Sequence, residues 1–362
     1  MQHGGDLISF SHYFDGKLID FSSNINPVGI PLRVQIEIIK KISQVQAYPD
    51  LQYRSLKKSV AGYLGCEINQ TLLGNGAVEL IDLFTSIAER VVICTPCFSE
   101  YEIRARVHGK KCVSVSLNTD FSLNVSRIKK VLQKNDLLVL ANPNNPTGLC
   151  IPEKTLFEIY KIVREKESFL LLDEAFFELS SCKYNSIVLF KKHSFKNIAI
   201  IRAATKFFAL PGIRLGYACT NYSVVQKISP LQLPWHINIF ADIAGNYIFN
   251  NTQSAFFEKS QQYLISQRNY LFSNLSKIKS IQVFKSECNF ILIQLLDTTE
   301  DFAFDFFARR GIIIRKAGSF FKSANKLAGM VGEFIRIAVR TKKENKKILK
   351  VFKEFENIPK AQ

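Results

Sequence analysis

At 362 residues the chain is long enough to bury a large core and to form one large domain beside a smaller one. Its 47% hydrophobic and 22% charged residues exclude a disordered or fibrous protein, and no apolar run approaches the roughly 20 residues of a membrane-spanning helix. A net charge of +17 raises nucleic acid as a partner, yet no nucleic-acid-binding module is spelled out, so the basic balance is read as a lysine-rich background plus a site for a phosphorylated small molecule.

Residues 1–30 are rich in Gly, Ser and Asn and read as an arm. The start, Met1-Gln2-His3-Gly4-Gly5, lacks the charged stretch and apolar core of a signal peptide, so a cytoplasmic location is expected. Helices are predicted over Pro31–Gln44 and Tyr53–Leu64, and over Ala77–Arg90, where Val78, Ile81, Phe84, Ile87 and Ala88 share one face. Strands are predicted at Val91–Thr95, Cys112–Leu117, Leu137–Ala141, Phe169–Leu172, Ile198–Arg202 and Leu215–Thr220. Short apolar runs separated by helices predict an α/β fold with a mainly parallel sheet covered on both faces. After Pro234-Trp235 the pattern changes to a long helical stretch from about Phe240 to Leu275, strands at Phe290–Leu295, Ile312–Arg315 and Phe334–Val339, and a last helix over Lys343–Phe355. The expected division is an arm (1–30), a large domain (31–235) and a smaller α+β domain (236–362). The eight cysteines are scattered and are expected to be buried thiols rather than disulfides; Cys94-Thr95-Pro96-Cys97 is a lone CxxC with no ligating partner nearby. No metal-ligand spacing occurs, so no metal is expected.

In α/β sheets ligands bind outside the carboxyl ends of the strands, and five motifs fall there or on the later domain's strands. In Gly74-Asn75-Gly76-Ala77-Val78 the glycines let backbone approach an anion, so that the amides of Ala77 and Val78 point at a phosphate. Such a turn is, taken alone, more often just a turn. Asn142-Pro143-Asn144-Asn145-Pro146-Thr147-Gly148 follows a strand, and two prolines fix the loop around the amide donor Asn145. Asp173 ends a buried strand in Leu172-Asp173-Glu174-Ala175-Phe176 and needs a cationic partner, which a protonated pyridine nitrogen would supply. Thr205-Lys206, with Arg214 eight positions on, offers an amine for an imine and a cation for a phosphate. In Arg336-Ile337-Ala338-Val339-Arg340, one arginine on the inner face could pair a carboxylate in bidentate fashion, and Arg336 is the expected one.

These five motifs, in this order and across nearly the whole chain, resemble the fold-type I pyridoxal-5′-phosphate (PLP) enzymes, the aspartate aminotransferase superfamily. The resemblance implies that Lys206 is the catalytic, Schiff-base lysine, that Asp173 pairs the pyridinium nitrogen, and that Asn145 donates to the phenolate oxygen. It further implies that Arg214, Thr205, Ala77 and Val78 hold the phosphate and that Phe98 stacks on the ring. Tyr48 resembles the tyrosine that reaches the neighbouring subunit's cofactor, which implies a homodimer with shared sites. Two residues depart from the common pattern: Phe176 stands where many relatives have Tyr, and Ala203 where many have Ser. Each removes one hydroxyl from the cofactor's surroundings.

Within that superfamily, His3-Gly4-Gly5, Asn24-Ile25-Asn26-Pro27, Phe176 and Leu233-Pro234-Trp235-His236 are similar to the threonine-phosphate decarboxylases of cobalamin biosynthesis, cousins of the histidinol-phosphate aminotransferases. The resemblance implies a phosphorylated amino-acid substrate, with Arg336 on its carboxylate and Arg315, His3 and Asn24 around its phosphate. The rival expectations are an aminotransferase and a PLP-fold regulator without catalysis; retention of Lys206, Asp173, Asn145 and Arg214 together argues against the second.

Overall fold

The longest uninterrupted apolar runs become the centre of the sheet. In the computed structural model, which describes residues 3–251, 254–321 and 332–357, the strands are β1 (Ile19–Asp20), β2 (Thr71–Asn75), β3 (Arg90–Thr95), β4 (Lys111–Ser116), β5 (Asp136–Ala141), β6 (Phe169–Asp173), β7 (Ile198–Ala203), β8 (Leu215–Thr220), β9 (Ile281–Val283), β10 (Phe290–Leu295), β11 (Ile312–Ile313), β12 (Arg315–Lys316) and β13 (Glu333–Ala338). Seven of them form one sheet in the order β2-β8-β7-β6-β5-β3-β4. Only β8 runs against its neighbours; β4, β3, β5, β6 and β7 are mutually parallel. Every residue of β7 and β8 is buried, as expected of strands covered on both faces.

The helices used below are α1 (Leu32–Lys40), α2 (Arg54–Leu64), α3 (Ala77–Ser86) and α4 (Glu100–Val107). The stretch expected to be one long helix is two, Ile239–Asn250 and Ser254–Leu275, and the first packs against α1 and α2. A separate antiparallel sheet, β12-β13-β10-β9, carries the expected strand Phe290–Leu295. The helix Lys342–Glu356 buries Ile348, Leu349, Phe352 and Phe355, packs on the helix Ser254–Leu275 and starts in a reciprocal cap between Thr341 and Glu344. Three strands were invisible in the sequence, β1, β2 and the three-residue β9. β2 is short and Gly-containing, and β1 is only two residues that pair in parallel with β11, tying the arm to the later part of the chain.

The cysteines correct one expectation. Cys150 and Cys182 form a disulfide, with their Cα atoms 5.9 Å apart. Each lies in the loop that leaves one of two neighbouring strands, β5 and β6, so sheet pairing brings together residues 32 apart in sequence.

Beneath the carboxyl ends of β6 and β7 lies a buried ionic cluster. Arg202 donates from Nε (3.0 Å) and Nη2 (2.8 Å) to Glu174, and its Nη1 is 3.9 Å from Glu178, which also accepts from the Tyr63 hydroxyl (3.0 Å). Burial raises the Glu178 carboxyl while Arg202 pulls it back. Replacing Arg202 by Met leaves two buried carboxylates without their cation. A loss of about 3–5 kcal/mol is expected, read as a lower urea midpoint at unchanged slope; an unchanged midpoint contradicts it.

Candidate active site

β7, β6 and β5 are neighbours in the sheet, and their registers place Asp173 beside Ala141 and Ile201. Lys206, Asp173 and Asn145 therefore leave adjacent strand ends. They meet in a cavity of about 210 Å³ whose wall also includes Ala77, Val78, Phe98, Thr205, Arg214, Arg315, Arg336, His3 and Asn24. Every site residue expected from the sequence lines this cavity except Tyr48.

At one end, α3 begins at Gly76 (φ 77°) with no side-chain cap, so its first amides are left for another acceptor. Gly76 donates from its backbone amide to the carbonyl of Arg214 (2.9 Å). A Cβ on Gly76 would strike the Arg214 guanidinium, and one on Gly216 would strike the Gly76 carbonyl carbon and the Ala77 nitrogen. Two glycines thus let β8 and the turn close into a cradle. Arg214 holds a left-handed backbone (φ 61°), a strained conformation of the kind found at ligand clamps.

Opposite lies Asp173, which accepts from the Tyr101 hydroxyl (2.7 Å) and the Ala175 amide (2.9 Å). Burial pushes its carboxyl up, and those two bonds pull it part of the way back. Among the described residues no basic side chain forms an ion pair with it. Burial first, and then the repelling charges of Arg336 and Arg214, lower the Lys206 amine to about 8, against the pull of Asp20. Phe176 closes the wall, its ring centroid 5.7 Å from the Lys206 Nζ, and Phe98 meets Tyr101 edge-on at 5.7 Å.

The third side comes from the small sheet and the arm. Arg315 and Arg336 pair across β12 and β13. Arg336 donates to the Asn145 Oδ1 (2.5 Å) and the Ser22 carbonyl (2.6 Å), while its Nε has no partner among the described residues. The Asn145 carbonyl is thereby used, which leaves its NH₂ as the donor toward the cavity. Burial lowers Arg336 to about 9 and Arg315 to about 10, and Arg315 adds to the shift of Arg336. Asn24 is 1% exposed, yet both polar atoms of its side chain lack a partner among the described residues. His3 Nε2 sits 3.1 Å from the Glu100 carboxylate and edge-on to Phe98. Tyr48 is 78% exposed and stacks on Trp235 at 4.4 Å, outside the cavity. Tyr101 was not anticipated. The one available signal was its place three residues after Phe98, which one helical turn brings to the same side.

Comparison with known proteins agrees with this arrangement. Residues 16–352 match the family described as aminotransferase class I and II. The chain belongs to that family. A protein of Caldanaerobacter subterraneus subsp. tengcongensis named "Putative threonine-phosphate decarboxylase" is 34% identical over 95% of this chain and 91% of its own length. The adenosylcobalamin biosynthesis bifunctional protein CobDQ of Leptospira interrogans is 33% identical over 97% of this chain, which spans 40% of that longer protein. Among solved structures, the histidinol-phosphate aminotransferase of Clostridium acetobutylicum superposes with a TM-score of 0.86 at 35% identity, covering 94% of this chain and 99% of that one.

The chain is thus a PLP-dependent enzyme of fold type I. Its residues fit the cofactor on three counts: a buried carboxylate without a cation, an uncapped helix start under an arginine, and an amine held partly neutral. Lys206 is the residue whose amine would hold PLP, and it would do so only when neutral, so the rate at which apoprotein takes up PLP should rise through pH 8. A half-rise near about 10.4, the value of an exposed lysine, contradicts the environment described for Lys206. Gly216→Ala should weaken PLP uptake by at least about tenfold, since backbone rather than a flexible side chain stands in the way; equilibrium titration of the apoprotein measures it.

Proposed function

We propose that this enzyme removes the carboxylate of O-phospho-L-threonine, releasing CO₂ and (R)-1-amino-2-propanol O-phosphate for the cobalamin nucleotide loop, and that it acts on O-phospho-L-serine to give ethanolamine phosphate. The observation that carries the reading is that Arg315 and Arg336, two buried guanidiniums on paired strands, both line the cavity and repel each other, although Arg315 also bonds the Ser319 hydroxyl (3.0 Å) and feels the favourable charge of Glu300. Such a pair is relieved by a ligand with two separate anionic groups. A phosphorylated amino acid has a carboxylate for Arg336 and a phosphate for Arg315. The orphaned amide of Asn24 and the imidazole of His3 supply further donors for the phosphate. The name of the Caldanaerobacter relative agrees with this substrate class, and that of the Leptospira relative with cobalamin biosynthesis.

PLP, when bound, supplies an electron sink for the pair left by the breaking bond. Asp173, Asn145, Thr205, Arg214 and the amides of Ala77 and Val78 would hold it, with Phe98 against its face. Arg336 has the task of orienting the substrate carboxylate, and its bonds to Asn145 and Ser22 allow it little freedom. Once CO₂ has gone, the Lys206 ammonium can return a proton to Cα, because an amine lowered to about 8 gives up its proton readily near neutrality. The pocket separates threonine phosphate from serine phosphate by one methyl group, worth only about 1–3 kcal/mol.

The second subunit belongs to the same proposal. Tyr48 and the neighbouring apolar residues Leu32, Ile39, Ile42, Val45 and Leu51 of the segment 32–51 are all exposed. A homodimer would cover that segment and carry Tyr48 toward the partner's cofactor.

A second reading, histidinol-phosphate-type transamination, is favoured by the 35% identity to the Clostridium acetobutylicum enzyme. One assay separates the two. The PLP-loaded protein is given O-phospho-L-threonine, O-phospho-L-serine, or histidinol phosphate with 2-oxoglutarate, and CO₂ and glutamate are followed together. CO₂ without glutamate is expected; glutamate without CO₂ transfers the enzyme to the aminotransferases. Lys206→Ala should lose turnover and the visible absorbance of the lysine-linked cofactor, and unchanged activity in that variant contradicts the entire site.

A further inference from the structure

Tyr101 is 1% exposed in α4 and touches two residues that meet the cofactor from different directions. Its hydroxyl donates to the Asp173 Oδ2 at 2.7 Å, and its ring stands perpendicular to Phe98 with centroids 5.7 Å apart. We propose that Tyr101 is a positioning residue for the cofactor: its hydroxyl keeps the Asp173 carboxylate charged and aimed at the ring nitrogen, while its ring backs the Phe98 face. The inference rests on reading Asp173 as the partner of that nitrogen.

The chemistry concerns where one proton resides. A carboxylate facing a pyridine nitrogen can leave the proton on the ring, as an ion pair, or take it, as a neutral acid. Burial favours the neutral acid and raises the Asp173 carboxyl. Two donors oppose it, the Ala175 amide and the Tyr101 hydroxyl. The amide belongs to the backbone of the turn, so Tyr101 is the side chain through which this balance is set. Burial also pushes the Tyr101 phenol well above its usual range, so it stays protonated and acts as donor. A proton kept on the ring makes it the better electron sink, so a residue that never touches the cofactor nevertheless governs its electronics.

Tyr101→Phe isolates the hydroxyl, because the ring contact with Phe98 is retained. The experiment compares binding of PLP and of its 1-deaza analogue, in which C–H replaces the ring nitrogen, to the apoproteins of wild type, Tyr101→Phe and Asp173→Asn. Tyr101→Phe is expected to weaken PLP about tenfold, the scale of a hydrogen bond to a charged group, and to leave the analogue within twofold of wild type. An equal effect on both cofactors, or none on either, overturns the inference. If Asp173→Asn also binds the two cofactors in the wild-type ratio, the reading of Asp173 itself fails. If Asp173→Asn collapses the ratio and Tyr101→Phe does not, only the role of Tyr101 fails. A measurement without any variant complements these: in the holoenzyme the ring ¹⁵N resonance is expected in the protonated range, and a neutral-pyridine shift overturns the inference.

Discussion

The guanidinium of Arg336 donates to the Asn145 side chain at 2.5 Å and to the Ser22 carbonyl at 2.6 Å, and these two bonds join three distant stretches of chain. Arg336 belongs to the small sheet, Asn145 to the loop after β5 of the large sheet, and Ser22 to the arm. The cavity exists where these three meet. Asp20 gathers the arm into shape by accepting from the Ser22 amide (2.8 Å), the Ser22 hydroxyl (2.6 Å) and the Ser23 amide (3.1 Å), and the pairing of β1 with β11 anchors it. Hydrogen bonds to a charged group are the strong ones, so a buried arginine is an apt keystone, and its own desolvation is the cost of using it.

Charge in the cavity is segregated. Arg336 and Arg315 face it from the small sheet, Arg214 from the turn before β8 and Lys206 from the end of β7, whereas Asp173, at the end of β6, is held by Tyr101 and Ala175. Lys206, Arg315 and Arg336 are lowered chiefly by desolvation, and Arg336 is lowered further by Arg315 and in turn lowers Lys206. Such a site is stressed when empty of anions and relaxed when filled with them. The same stress that disfavours the Lys206 ammonium readies it to trade its proton near neutral pH. Binding and reactivity therefore share one electrostatic cause.

Much of this was legible in the sequence because the motifs are local. Gly74–Val78, Asn142–Gly148, Asp173, Thr205–Arg214 and Arg336 each combine a chemistry-bearing residue with the turn or strand end that aims it, and all five converge. Strands Phe290–Leu295 and Leu215–Thr220 were legible to the residue because their apolar runs are unbroken. What escaped depends on pairing across the sheet. The direction of β8, the strand β2 and the Cys150–Cys182 disulfide follow from which strands are neighbours, and no local pattern encodes that. Tyr101 escaped for a related reason, since its partner Asp173 is 72 residues away and a buried tyrosine in sequence is simply an aromatic.

The departures at Phe176 and Ala203 acquire a physical meaning beside Tyr101. Phe176 contributes only a ring near Lys206, and Ala203 only a methyl to the wall. With fewer hydroxyls around the cofactor, its hold depends more on the Gly76 cradle, Arg214 and the Asp173–Tyr101 pair.

The central claim is that the buried arginines receive two anionic groups of one substrate. The most direct measurement is a crystal structure of Lys206→Ala loaded with PLP and O-phospho-L-threonine. The account predicts the substrate carboxylate on Arg336 and the substrate phosphate within hydrogen-bond reach of Arg315 and Asn24. A phosphate bound away from both, or a carboxylate held elsewhere than Arg336, would contradict it.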